Sequence, residues 1–183
     1  MGLQIWPAAE VLCRHMAEWP EAWRHKSVLE LGAGVGLCGF VNARLFGGFS
    51  AGRRVVLTDG QDAALALLAR NCKLAGLEEE VFVQRLQWGV SSGPSVDAVF
   101  ASDCIYSLDA VEQVLATVGQ LGASSLLLSS PVRSAPLWES VAGLARALGL
   151  QLVEPRALPE GADLERVRKK GGLVLRFERT ALH

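Results

Sequence analysis

The run Glu30-Leu31-Gly32-Ala33-Gly34-Val35-Gly36 is the first stretch whose residue types and spacing can do chemistry. Glycines at alternate positions let the chain turn tightly and let a ligand approach bare backbone. If a strand leads into the run and a helix leaves it, the free N–H groups of that helix face the turn. A carboxylate, a phosphate or a nucleoside tail fits such a place. No Gly-Lys-Ser/Thr follows, which excludes a P-loop. The dinucleotide fingerprint matches only in part, because Leu37 stands at the third glycine position. A second carboxylate, in Thr58-Asp59-Gly60, follows the next apolar stretch. A carboxylate there accepts hydrogen bonds from both hydroxyls of a ribose, in NAD or in S-adenosylmethionine. Farther on, Asp103-Cys104-Ile105-Tyr106 brings another carboxylate and the chain's single tyrosine just past an apolar run.

These residues need elements to position them. Of 183 residues, 50% are hydrophobic and 20% charged, so the chain can bury a core and is not disordered. The length predicts one domain, residues 1–183, burying roughly two-thirds of its unfolded surface. Leu12, Met16 and Trp19 stand at helical spacing and predict a helix over 8–19, closed by Pro20. A strand is expected at 27–31 and a helix over 37–46 behind the glycines. A loop over 47–52 leads to a strand at 55–58. The alanine- and leucine-rich stretch 62–75 predicts a helix closed by Gly76. Strands follow at 81–86, 96–102 and 126–130, and the second of these is mostly apolar along its length, as in a strand covered on both faces. Asp109 and Glu112 have capping-box spacing for a helix over 110–121. Pro136 suits the first turn of a helix over 136–148, with Gly149 behind it. Residues 151–158 and 173–179 predict an antiparallel pair at the end of the sheet, and the alternation of the latter fits a less buried position.

Strands alternating with helices predict an α/β fold: a doubly wound, mostly parallel seven-stranded sheet with a C-terminal antiparallel hairpin. Such sheets bind ligands beyond the carboxyl ends of their strands, where the glycine turn, Asp59 and Asp103 all fall.

Charge narrows the partners. Eighteen basic residues against 19 acidic give a net charge of −1, so no basic field exists to grip nucleic acid non-specifically. No apolar run is long enough to predict a membrane span, and the first residues lack the pattern of a secretory signal. Cys13, Cys38, Cys72 and Cys104 stand singly, and the three histidines offer no ligand set, so no metal site is expected. Free thiols suit a reducing cytoplasm or nucleus. A monomer is expected. Cys104 lacks a histidine to activate it and reads as structural. The cluster Arg166, Arg168, Lys169 and Lys170 reads either as a contact for an acidic protein surface or as a solvated loop.

Glu30 with the GxGxG spacing resembles the cofactor motif of the seven-strand S-adenosylmethionine-dependent methyltransferases, a Rossmann-like fold whose last two strands form an antiparallel hairpin. Further stretches resemble one branch of it, the methyltransferase-like family-16 group of protein lysine methyltransferases. They are Gly2 with Ile5-Trp6-Pro7, residues 28–39, Leu57-Thr58-Asp59, Asn71, Leu86-Gln87-Trp88-Gly89 and Ala101-Ser102-Asp103-Cys104-Ile105-Tyr106. The last is similar to the group's Asp-x-x-Tyr signature. Val132-Arg133-Ser134-Ala135 resembles a stretch of a member that acts on arginine. Members usually carry a longer region before the Trp-Pro stretch, so the expectation is a domain short of that N-terminal extension.

The resemblance implies S-adenosyl-L-methionine as cofactor, S-adenosyl-L-homocysteine as product and a protein as substrate. It implies that Gly32, Gly34 and Gly36 wrap the methionyl end of the cofactor and that Glu30 orients its ammonium. Asp59 would hold the ribose hydroxyls. Trp88 would pack near the adenine and Trp6 would cover the mouth, although both also read as packing residues, as Trp23 and Trp138 do. Ser102 joins the cofactor-binding set. Asp103 and Tyr106 are the implied catalytic pair, Asp103 orienting the amine and Tyr106 narrowing the channel. Arg133 would meet an acidic substrate feature or lie in solvent. The expected activity is methylation of a protein side-chain nitrogen, on lysine. Protein arginine, a small molecule and a non-catalytic cofactor-binding protein stay open. A nicotinamide oxidoreductase is disfavoured by Leu37 and Gly36. Methylation of nucleic-acid amines is disfavoured because Asp103-Cys104-Ile105-Tyr106 lacks the two prolines of the Asp-Pro-Pro-Tyr site.

Overall fold

The computed structural model describes residues 4–90, 93–131, 135–154 and 172–179. Its elements run α1 Pro7–Glu18, β1 Val28–Leu31, α2 Leu37–Phe46, β2 Val55–Asp59, α3 Asp62–Leu74, β3 Phe82–Arg85, β4 Ala98–Ser102, α4 Leu108–Leu121, β5 Ser125–Ser130, α5 Ala135–Ala147, β6 Leu150–Glu154 and β7 Leu173–Arg179. The strands form one seven-stranded sheet in the order β3-β2-β1-β4-β5-β7-β6. β1 pairs in parallel with β2 and β4, β2 with β3, and β4 with β5, while β7 is antiparallel to both β5 and β6. The expected fold class is therefore the observed one.

Alternation along the strands supplies both faces of the sheet. Leu29, Leu31, Val99, Ala101, Leu126 and Leu128 pack under α4 and α5, against Val111, Val114, Val118, Trp138 and Val141. Val28, Val55, Leu57, Ala98, Phe100 and Leu127 face α1, α2 and α3 through Leu12, Met16, Cys38, Ala43 and Leu68. Both faces are covered, so the central strands are mostly apolar. α2 sits close on β2 because Gly39 presents no side chain, and a Cβ there would run into Leu57. Trp23 is fully buried and meets Phe100 edge-on, with ring centroids 5.3 Å apart. Gly76 (φ +61) and Gly149 (φ +75) follow α3 and α5 in the left-handed conformation expected of helix-ending glycines.

Some sequence expectations shift. Trp19 does not complete the stripe of α1; it lies just past the helix and is 51% exposed. Pro20 explains this, since it bars the preceding residue from continuing the helix. The N-cap of α4 is Ser107, whose hydroxyl accepts the Ala110 N–H at 3.2 Å, and not Asp109. The loop over 47–52 contains a short 3-10 turn at Phe49–Ala51. β7 is an interior strand with alternate burial, and β6 forms the edge. Arg133 and the basic cluster Arg166, Arg168, Lys169 and Lys170 lie outside the described residues.

Candidate active site

Strand order reverses between β2-β1 and β1-β4. Chain segments leaving β1 and β4 diverge at such a point and open a crevice at the carboxyl edge. A cleft of about 840 Å³ lies there, lined by Trp6, Glu30, Gly32, Gly34, Asp59, Trp88, Ser102, Asp103 and Tyr106 among others. Of the expected site residues only Gly36 does not line it. Gly36 is instead the N-cap of α2 at φ +89, and a Cβ there would meet Phe40 at 2.6 Å and Leu68 at 2.8 Å. It backs the turn from behind.

The turn is held from outside as well as by its glycines. Gly32 (φ +61) and Gly34 (φ +55) take backbone angles that side chains disfavour. Ala33 donates its N–H to the Thr58 carbonyl at 2.8 Å, and Asn71 donates from Nδ2 to the Val35 carbonyl at 3.0 Å. Asp59 ends β2 and accepts the Gly34 N–H on Oδ2 at 3.2 Å and the Gln61 N–H on Oδ1 at 3.0 Å. Each carboxylate oxygen keeps further acceptor capacity toward the cleft.

Glu30 is only 2% exposed. Its Oε2 accepts the Gly39 N–H at 2.8 Å, at the start of α2, and its carbonyl accepts the Thr58 hydroxyl at 2.7 Å. Burial pushes the Glu30 carboxyl up to about 7, against the Gly39 N–H and the Cys38 thiol, which favour the ionised form; Asp59 nearby pushes it up further. A buried carboxyl poised there gains from a cationic partner.

The other wall is aromatic. The Trp88 indole lies on Gly32 so closely that a Cβ there would sit 2.8 Å from Cζ2. Its ring stands 6.4 Å from that of Tyr106, which is 57% exposed at the mouth. Cys104 is buried with its thiol toward the Leu31 carbonyl at 3.3 Å, and burial raises that thiol far above its ordinary value, which fits a structural role. Asp103 has φ +53 and is the one non-glycine among the described residues with positive φ. Its N–H donates to the Ser129 carbonyl at 2.7 Å, fixing it just past β4. Aspartate tolerates this conformation better than most residues, and strained positions of this kind cluster at functional sites. Among the described residues no His, Cys, Asp and Glu group is arranged to hold a metal ion.

Gln61, Gln87 and Gln113 also line the cleft and were not among the expected site residues. Gln61 and Gln87 stand beside Asp59 and Trp88, so adjacency was a signal. Gln113 lies in mid-helix on α4, where nothing in the sequence marks it.

The cleft thus combines a carboxylate suited to a diol, a buried carboxyl suited to a cation, an indole platform and a carboxylate with a phenol at the exit. Its fold has solved counterparts. Magnesium protoporphyrin IX methyltransferase from Synechocystis PCC 6803, with bound SAM, superposes with a TM-score of 0.67 at 14% identity, covering 95% of this chain and 80% of that one. Among curated proteins, protein N-lysine methyltransferase METTL21A of Xenopus tropicalis is 34% identical over 136 residues, 70% of this chain and 60% of the relative. Histone-arginine methyltransferase METTL23 of Mus musculus is 32% identical over 124 residues, 64% of this chain and 46% of the relative. The chain spans about half the length of the first such relatives, 46% and 50%. A model of the lysine methyltransferase family matches residues 1–135, the part that holds every expected site residue, and the chain belongs to that family.

Proposed function

We propose that this chain transfers a methyl group from S-adenosyl-L-methionine to a protein side-chain nitrogen, that of lysine. The observation that carries the reading is the placement of Glu30, Asp59, Asp103 and Tyr106 in one cleft at the strand-order reversal. The residues fit the cofactor: Asp59 suits the ribose hydroxyls, and Glu30, a buried carboxyl held near neutrality, suits an ammonium. Gly32, having no Cβ, lets the Trp88 indole close on the turn. The bound cofactor supplies an electrophilic methyl on a sulfonium. The chain's own residues orient and desolvate. Asp103 accepts an N–H of the incoming neutral amine and aims its lone pair, and Tyr106 closes the aqueous side. A second reading, methylation of arginine, draws on the METTL23 relatives. The unpaired thiols, three of them buried, support a cytoplasmic or nuclear setting.

Labelled methyl transfer into a cell extract, followed by mapping of the modified residue, tests the activity. Methyl-lysine in a protein is expected. Methylarginine would favour the second reading, and label in nucleic acid or in a small molecule would refute both.

Glu30 makes cofactor binding pH-dependent. Its folded value is raised from 4.5 to about 7, so this group's contribution to the stability of the free protein is fully present below 4.5 and lost as pH rises through 7. The ammonium favours the ionised carboxylate, so affinity moves the opposite way. Calorimetry with S-adenosyl-L-homocysteine should show binding roughly tenfold weaker at pH 6 than at pH 8. Glu30→Gln should flatten the profile. Parallel profiles for the two proteins would rule out this assignment.

A further inference from the structure

Thr117 is fully buried in α4, the helix that supplies Val114, Val118 and Leu121 to the core. A buried hydroxyl in such surroundings needs partners. It donates to the Gln113 carbonyl at 2.8 Å, the usual back-bond to the preceding helical turn. It also accepts the Gly89 N–H at 2.8 Å, across 28 residues of sequence. That second bond is not needed by the helix. Gly89 has φ +74 and stands next to Trp88, and a Cβ on it would lie 3.4 Å from Gln113 Cγ. Trp88 in turn covers Gly32 and faces Tyr106.

We propose that Thr117 is a positioning residue for the cofactor pocket. Its hydroxyl pins Gly89 to α4 and so holds the Trp88 indole over Gly32. The inference rests on the proposed function, because it takes the cleft to be the cofactor's. The physical effect is preorganisation. A loop tethered at Gly89 keeps its indole placed before the ligand arrives, and less freedom is lost on binding. A threonine that merely packs α4 would act on stability alone.

The test is calorimetric titration with S-adenosyl-L-homocysteine of the wild type, Thr117→Val, Thr117→Ser, Trp88→Ala and the Trp88→Ala/Thr117→Val double variant, with melting temperatures alongside. Valine keeps the shape and removes the acceptor, whereas serine keeps the acceptor. Thr117→Val should bind roughly three- to tenfold more weakly, the worth of one hydrogen bond. Thr117→Ser should lie within about twofold of the wild type. In the Trp88→Ala background, Thr117→Val should change affinity less than about twofold, because Thr117 acts through the indole. Wild-type binding with no loss in Thr117→Val overturns this inference alone, as does an equal loss in both backgrounds. A loss that serine does not restore also overturns it. Absence of binding by the folded wild type overturns the cofactor reading and this inference with it. Should Thr117→Val fail to fold, Thr117→Cys, with its weak acceptor, carries the same comparison.

Discussion

Asp59→Ala is expected to weaken S-adenosyl-L-homocysteine binding roughly a hundredfold or more. Hydrogen bonds to a charged group contribute about 1.5–3 kcal/mol each, and a carboxylate facing a ribose makes two. The substitution also removes the acceptor of the Gly34 and Gln61 N–H groups, which ties the glycine turn to the end of β2. Both losses act on the same ligand, one directly and one through the turn. Asp59→Asn separates them. Its amide keeps one acceptor oxygen but no charge, so a loss of roughly tenfold is expected. Calorimetric titration of the three proteins at one pH reads the series. Alanine within about threefold of the wild type would mean that the carboxylate does not hold the ribose, directly or through the turn. Titration with NAD provides the control, and binding of NAD without affinity for S-adenosyl-L-methionine would sink the cofactor assignment.

Much of the fold was legible because apolar runs and glycine punctuation agree along this chain. The helix expected over 37–46 is α2 as observed, and the strand expected at 173–179 is β7. What was not legible has physical reasons. The insertion of β7 between β5 and β6 is a choice among long-range pairings that local periodicity does not encode. Asp109 and Glu112 carry the spacing of a capping box, but Ser107 is the side chain that accepts the free N–H of Ala110. Trp19 matched the helical period, yet Pro20 ended the helix before the indole could turn inward. The candidate site was legible for a different reason. Each expected residue but Trp6 lies at or just past a strand end, and the sheet gathers strand ends at one edge. Gly36 was legible as a glycine, but its part in packing against Phe40 and Leu68 was not. Gln113 and Thr117 were invisible because they reach the site through the packing of α4 against the segment after β3, a contact between parts of the chain that share no motif.

Asp103→Ala should leave cofactor affinity nearly intact and lower the rate of methyl transfer roughly a hundred- to a thousandfold. Asp103 follows β4 at the cleft, while the turn and Asp59 belong to β1 and β2, so the two halves of the site rest on different strands. A carboxylate that aligns the attacking amine stabilises the transition state more than either ground state, and its loss falls on turnover. Two features shape the choice of variants. The backbone sits at φ +53, a conformation that aspartate and asparagine tolerate and alanine resists at a cost of about 1 kcal/mol or more. Asp103→Asn therefore keeps the backbone and one acceptor oxygen but loses the charge, and it should retain part of the rate if hydrogen bonding is the main contribution. Single-turnover transfer to the protein identified by labelling gives the rate, and calorimetry with S-adenosyl-L-homocysteine gives the affinity. A melting curve shows whether the alanine variant is folded. If Asp103→Ala and Asp59→Ala lose cofactor affinity equally, the carboxylates do not divide the work between holding the cofactor and aligning the amine. If Asp103→Ala keeps the wild-type rate, the alignment of the amine must come from Tyr106 or from the substrate's own fit at the mouth, and Tyr106→Phe then becomes the variant that carries the loss.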